Sequence, residues 1–378
     1  MRFVHTADWQ IGKPFLRYGE KGDGLRTARL DAIEAMGRLA RDEDAAHVLV
    51  AGDIFDSESP SSLTLRAPME RMRQFTQVRW HLLPGNHDPH RPGGIWERFQ
   101  ALGPPDNVMV HTSAAPVDLG ASCWLLPAPL TTKSETRDTT ADMDSMVTPE
   151  GVVRIGLAHG SIVNFSGASG EASNLIDPGR AQSAGLAYLA LGDWHRTQQI
   201  NAWTWYAGTP EPDRHNAQNT GRALVVSVDT ARAEPKVWEA VVGSYRWHDQ
   251  TVELSGVDQL ADVEATLARD AAPLSKLVLR LGISGMASLQ ERNTVDDWCE
   301  RLHASVYHLQ SDLTALRITP NETDLESIDF DGVLRKVADR LKARLSDPAL
   351  SEQDRQTAED ALITLYLEGA GSGMSDAA

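Results

Sequence analysis

Apolar and polar positions alternate in blocks along the first part of the chain. Phe3-Val4-His5 is a short apolar run ending at Thr6-Ala7-Asp8, and apolar residues then recur at helical spacing from about Leu25 to Leu39. His47-Val48-Leu49-Val50-Ala51 reads as a buried strand ending at Gly52-Asp53. A second helical stretch covers roughly Leu63 to Phe75, and the apolar run Val78 to Leu83 ends at Pro84-Gly85-Asn86-His87-Asp88. Strand, helix, strand, helix, strand at roughly thirty-residue intervals predicts βαβ units and an α/β fold. Each polar cluster falls just past the C-terminal end of a strand, where open α/β sheets place their ligands.

The middle of the chain is richer in strands. Cys123 to Leu126, Arg154 to Ala158 and Ala187 to Leu191 are predicted strands, and Ala223 to Val228 with Lys236 to Val242 resemble an antiparallel pair. Thr131 to Thr148 and Ser166 to Ser173 are polar and read as loops. Composition shifts near Gly256: Val257 to Leu267 reads as a helix, Lys276 to Leu281 as a strand and Thr294 to His303 as a helix, which suggests a small separate α/β unit. Val333, Leu334, Val337, Leu341 and Leu345 then lie on one helical face. Ser351 is placed to cap a further helix through Leu362, Leu365 and Tyr366, and residues 369–378 read as a disordered tail.

At 378 residues the chain is too long for one small domain, so two or three units are expected. No run of eighteen apolar residues occurs, which excludes a helical membrane span, and the N-terminus lacks a signal-peptide pattern. The two cysteines, Cys123 and Cys299, have no CxxC spacing, so a thiolate zinc site or disulfide framework is not expected and a reducing cytoplasm fits. A formal net charge of −17 argues against nucleic-acid binding over the whole surface, leaving local basic patches and metal ions as the means of meeting a polyanion.

Five polar clusters carry the candidate chemistry: Asp8-Trp9-Gln10, Gly52-Asp53-Ile54-Phe55-Asp56, Gly85-Asn86-His87-Asp88, His159-Gly160 and Gly192-Asp193-Trp194-His195. Taken singly, Asp8 or Asp53 is more often a cap or turn residue, Asn86 a turn residue, and His159 a satisfied core histidine. Together, at five strand ends, their oxygen and imidazole donors suit manganese, iron, magnesium or zinc ions.

Gly-Asp-x-x-Asp followed by Gly-Asn-His-Asp resembles the calcineurin-like metallophosphoesterases. His5-Thr6-Ala7-Asp8-Trp9 and Tyr206-Ala207-Gly208-Thr209-Pro210-Glu211 look like the DNA-repair nuclease branch of SbcD, Mre and YhaO-like proteins. The resemblance implies a four-layer α/β/β/α sandwich over 1–255, an α/β capping domain over 256–328, and C-terminal helices over 329–368. It implies two divalent metal ions, manganese first: Asp53 bridges them, Asp8 and His195 hold the first, Asn86 and His159 the second. His87 would stabilise or protonate the leaving oxygen and Asp56 would orient His87. Family members usually carry histidine where this chain has Gln10 and Asp193. Gln10 is the weaker ligand, so the first metal position is expected to be weaker than the second.

The implied activity is DNA phosphodiester cleavage, exo- or endonucleolytic, by a hydroxide formed from a water that two metals activate. His90, Arg91 and Arg98 are candidate phosphate contacts, and Trp96 reads as a core anchor. By resemblance, Val337, Leu341, Leu345, Leu362, Leu365 and Tyr366 would grip an SMC-type, SbcC-like ATPase, and a homodimer is a family-level expectation. Two other readings compete: a small-nucleotide phosphodiesterase, and a weakly catalytic DNA-end-binding scaffold.

Overall fold

The computed structural model describes residues 1–163, 173–215, 221–230, 233–269, 273–319 and 333–372, with side chains through 365. From the N-terminus run β1 (Arg2–Thr6), α1 (Lys21–Asp42), β2 (His47–Val50), α2 (Ser62–Arg73), β3 (Arg79–Leu82), α3 (Ile95–Ala101) and β4 (Val108–Val110). Next come β5 (Val117–Gly120), β6 (Cys123–Ala128), β7 (Val153–His159), β8 (Ser161–Ile162) and β9 (Leu175–Ile176). The short α4 (Arg180–Ser183) precedes β10 (Tyr188–Gly192), β11 (Gln198–Asn201), β12 (Thr204–Tyr206), β13 (Arg222–Ser227) and β14 (Lys236–Val241).

Strands β1 to β4 pair in parallel, and antiparallel β13 and β14 extend the sheet beyond β1. A second six-stranded sheet has the order β11-β12-β10-β7-β6-β5, with the four inner strands parallel. Parallel strands covered on both faces should read as unbroken apolar runs, and these do. Val48, Val50, Trp80 and Leu82 pack on Ile33, Met36, Leu65, Met69, Trp96 and Phe99 of the helices. Their neighbours Leu49, Ala51 and Leu83 face the second sheet and meet Leu125, Ile155, Leu157, Tyr188 and Ala190. On that sheet's outer side Leu126, Ala158, Leu189 and Leu191 pack on Met143, Met146, Ala181 and Leu186. The result is the expected α/β/β/α sandwich. Ser61 caps α2 by accepting the Thr64 amide at 3.1 Å.

The loop read over Thr131 to Thr148 contains a 3-10 helix, Thr139–Asp144. Asp138 accepts the Thr140 amide at 2.8 Å and so starts this turn, a local cap that an apolar-periodicity reading passes over. Most of the second expected loop, 166–172, lies outside the described residues.

Met1–His248 with Lys276–Val278 form one compact unit, and Asp249–Ser275 with the chain from Leu279 onward form another. The second is built around β15 (Arg246–Leu254), α5 (Gln259–Ala268), β16 (Leu277–Ala287), α6 (Leu289–Ser305), β17 (His308–Asp312) and β18 (Leu316–Ile318). β16 lies between β15 and β17 and pairs in parallel with β18, which carries it past the expected end at Leu281 despite Gly282 and Gly285. Helix α6 starts before the expected Thr294 because Ser288 and Glu291 form a reciprocal capping box.

Helices α7 (Val333–Leu345) and α8 (Glu352–Ser372) pack on each other. Ser351 caps α8, accepting the Asp354 amide at 3.1 Å. Ala338, Ala358 and Leu362 are buried, whereas Val333, Leu334 and Val337 are exposed. Leu341, Leu345 and Leu365 are half-buried, and the Tyr366 side chain lies outside the described residues. The backbone of α8 runs to Ser372 rather than ending at 368. The expected boundary at 328/329 and the last six positions, 373–378, lie outside the described residues. Among the described residues no helix is long and apolar enough to cross a membrane.

Candidate metal centre

Asp8 follows β1, Asp53 follows β2, Asn86 and His87 follow β3, His159 ends β7, and Asp193 and His195 follow β10. Both sheets therefore deliver side chains from their C-terminal strand ends. The loops after β1 and β2 are zipped together: the Asp8 amide donates to Gly52 O at 3.1 Å, Gln10 to Asp53 O at 2.9 Å and Ile11 to Ile54 O at 2.8 Å. Asp8 (φ 55°), Gln10 (φ 44°), Asp53 (φ 55°) and Asp193 (φ 102°) all have left-handed or otherwise positive φ. Each costs about 1–3 kcal/mol for a residue with a side chain, and such strain concentrates at functional sites. Gly52 (φ 87°) leaves room for the His159 ring, into which a Cβ would run, and a Cβ at Gly85 would run into the Asp53 carboxylate.

Ligand atoms of Asp8, Asp53 and His159 lie within 4.8 Å of one another, and all three residues are buried. His159 Nδ1 donates to Ala51 O at 2.8 Å. That leaves Nε2 facing inward, 3.5 Å from Asp53 Oδ1, 3.8 Å from Asp193 Oδ1 and 3.2 Å from Asn86 Oδ1. The Asp193 amide reaches both Asp8 oxygens at 3.2 Å, and its own carboxylate accepts Ser161 Oγ at 2.5 Å. Burial pushes the Asp8 carboxyl up to about 6, with His195 and His159 opposing. Burial also works against a charged His159, but Asp53, Asp8 and Asp193 outweigh it and carry the imidazole up to about 9. Carboxylate and imidazole donors converge here with no thiolate, in a pocket where negative charge is costly to bury uncompensated. These residues fit a divalent cation.

The corner around Gln10 is built differently. Gln10 Nε2 lies 3.3 Å from His195 Nε2, and its Oε1 accepts Lys13 Nζ at 2.8 Å. Lys13 also reaches Asp213 at 2.5 Å. Buried Asp213 further meets Arg29 at 3.3 Å and Arg214 at 3.0 Å, and lies 3.8 Å from His195 Nδ1. Burial opposes its ionised form, but His195, Arg29 and Lys13 hold this carboxyl well below the usual range. The Gln10 oxygen is thus already engaged. Lys13, Asp213 and Arg214 escaped the sequence reading. The pair Asp213-Arg214 stands just beyond the Tyr206-to-Glu211 run, which was the available signal. Glu211 itself accepts the Ser244 and Tyr245 amides at 2.6 and 2.9 Å, and burial pushes its carboxyl up to about 7.

His87 donates its backbone amide to Asp53 Oδ1 at 2.9 Å, and its Nε2 lies 4.0 Å from Asp53 Oδ2. Its Nδ1 is 3.0 Å from the main-chain oxygen of Asp56. The orienting group is therefore that carbonyl rather than the Asp56 carboxylate, which lies 4.0 Å from Lys13 Nζ. Asp88 anchors the loop, accepting the Gly85 amide at 2.7 Å and the Phe55 amide at 3.0 Å. Trp96 is a core anchor, as expected, with its indole N–H on Asp88 O at 2.5 Å.

A cavity of about 300 Å³ opens over the cluster, lined by Asp53, Asn86, His87, Asp193, Trp194, His195, Arg196 and Arg214. His90, Arg91 and Arg98 are not among its lining residues. Arg91 pairs with Glu58 at 3.1 Å, Arg98 donates to Pro60 O at 2.6 Å, and the His90 amide donates to Leu130 O at 2.8 Å. Each arginine thus already holds one protein partner outside this cavity's lining.

Residues 1–144 match the family model for calcineurin-like phosphoesterases. The SbcD subunit of the SbcCD nuclease of Bacillus subtilis (strain 168) is 23% identical over 329 residues, covering 77% of this chain and 81% of that protein. Its counterpart in Escherichia coli (strain K12) is 33% identical over 90 residues, 23% of this chain and 21% of that protein. The counterpart in Rhodobacter capsulatus is 37% identical over 93 residues, 24% of this chain and 22% of that protein. Residues 1–144 thus match the calcineurin-like phosphoesterase family, and the chain's similarity to the SbcD subunit of the SbcCD nuclease extends over most of its length.

Proposed function

We propose that the chain is a metal-dependent DNA phosphodiesterase, manganese being its preferred ion, acting in DNA repair in the cytoplasm beside an SMC-type ATPase. The observation that carries this is the convergence of Asp8, Asp53 and His159 beneath a cavity that also presents Asn86, His87, Asp193 and His195. Asp53, His159, Asn86 and Asp193 would hold the tighter ion, while Asp8 and His195, with Gln10 engaged elsewhere, make a weaker second position. When bound, such ions supply Lewis acidity at phosphate oxygens and lower the pKa of a water.

The chain's own residues do the rest. Asp53 Oδ1 fixes the backbone of His87, and the Asp56 carbonyl fixes its Nδ1 proton, leaving Nε2 as the ring atom to meet the leaving oxygen. The Ala51 carbonyl holds His159 in the tautomer whose Nε2 is available to a ligand. No side chain need form a covalent bond to phosphorus.

The test compares wild type with His87→Ala on end-labelled DNA and on bis-p-nitrophenyl phosphate, with manganese. The expected result is DNA cleavage by wild type and a kcat lowered about 100-fold or more in the variant. Full activity of His87→Ala defeats the assignment, and turnover of the small diester alone favours the small-nucleotide reading. The Lys13–Gln10 contact favours one second reading, a scaffold with little catalysis, which requires wild type to bind DNA ends without cutting them.

The partner proposal rests on exposed Val333, Leu334 and Val337 of α7, since Leu362 is spent on internal packing. Co-purification with the ATPase should be lost on truncation at Ser327, and equal co-purification would sink it.

A further inference from the structure

An exposed arginine is ordinarily a solvated one, but three observations set Arg196 apart. It lines the cavity over the acidic cluster. Its backbone is clamped on both sides: the Thr209 amide donates to His195 O at 3.2 Å, and Thr197 Oγ1 donates to Ala207 O at 2.9 Å. Gly208 (φ 74°) lies so close that a Cβ there would strike the Arg196 carbonyl carbon. Among the described residues no carboxylate or carbonyl pairs with the Arg196 guanidinium. Neighbouring cations each already hold a protein partner: Lys13, Arg29 and Arg214 meet Asp213, Arg91 meets Glu58, and Arg98 donates to Pro60 O.

We propose that Arg196 is the substrate-phosphate anchor of this cavity, a specificity residue that favours a nucleic-acid strand over a small diester. The inference rests on the phosphodiesterase reading above. On a chain of net charge −17, a polyanion is repelled in general, so a cation held unpaired at the mouth of the acidic site decides where a strand docks. A guanidinium presents paired N–H donors to two phosphate oxygens, which an ammonium does not. Arg214 acts differently: bonded to Asp213 and 3.2 Å from His195 Nδ1, it is a positioning residue for that ring.

The test is anisotropy of a fluorescein-labelled oligothymidylate with the full chain in EDTA, where no turnover occurs, across a salt series. Arg196→Gln should weaken binding about 10-fold and lower the slope of log K against log salt by about 0.7, the value for one phosphate contact on a single strand. Arg196→Lys, which keeps the charge, should retain the slope. Unchanged affinity and slope in Arg196→Gln, or no binding by wild type, would overturn the inference. A wild type that binds in this Arg196-dependent way but never cuts would sink the hydrolase reading alone. A wild type that cuts DNA while Arg196→Gln binds normally would sink this inference alone.

Discussion

Metal binding to this cluster should be coupled to proton release, and the size of the coupling follows from the site. Without metal, His159 is held protonated at neutral pH, with its pKa up at about 9, and Asp8 titrates at about 6. A cation can take Nε2 of His159 only after that proton leaves. Protons therefore compete with metal, and affinity must fall as pH falls. Between pH 8.0 and 6.5 the His159 competition alone weakens binding about 30-fold, and Asp8 brings this to about 40-fold, or ~2 kcal/mol. At pH 7.5 close to one proton should leave per ion bound. Titration calorimetry with manganese in two buffers of different ionisation enthalpy reads that number directly. An affinity independent of pH, with no proton released, would refute the reasoning and remove His159 from the ligand set.

Two further predictions concern the scaffold. His47, His81 and His111 form a buried hydrogen-bonded ladder, with links of 2.9 and 3.0 Å, and burial lowers the pKa of each, His111 to about 4. The unfolded state then takes up protons below about pH 6.5 that the folded state refuses, so this contribution is whole above that pH and is lost towards pH 4. Between pH 7.5 and 5.0, wild type should lose about 2 kcal/mol more than His111→Gln in EDTA denaturation curves; parallel curves would contradict it. Replacing Asp213 by Asn should cost about 3–5 kcal/mol, because it strands the buried Arg29 guanidinium beside Lys13. That corresponds to a fall of roughly 6–20 °C in Tm, and a melt within about 2 °C of wild type would show the network to be dispensable.

The parallel strands of the first unit were legible because both faces are covered, which leaves unbroken apolar runs punctuated by Asp8, Asp53 and Asn86. The strand-end clusters were legible for the same reason: polarity has no other cause at the end of a buried strand. What could not be read were contacts between distant segments. Lys13 and Asp213 meet across two hundred positions, and nothing local in either marks the pair. The orienting role at Asp56 belongs to a main-chain carbonyl, which no residue identity betrays. Strand β15 went unread because Asp249, Thr251 and Glu253 interrupt its apolar positions, the mark of a sheet open on one face. The arginines read as phosphate contacts, Arg91 and Arg98, were chosen by closeness in sequence to His87; the cavity lining includes Arg196, which follows His195 in the loop between β10 and β11.

That the cluster of Asp8, Asp53 and His159 binds divalent metal is the claim on which the rest depends. The most direct measurement is an anomalous difference map from crystals of the full chain grown with manganese. A peak about 2.0–2.3 Å from an Asp53 carboxylate oxygen and from His159 Nε2 is the predicted result, lost in Asp53→Asn. A map with no peak at the cluster, at manganese concentrations that support hydrolysis, would contradict the claim.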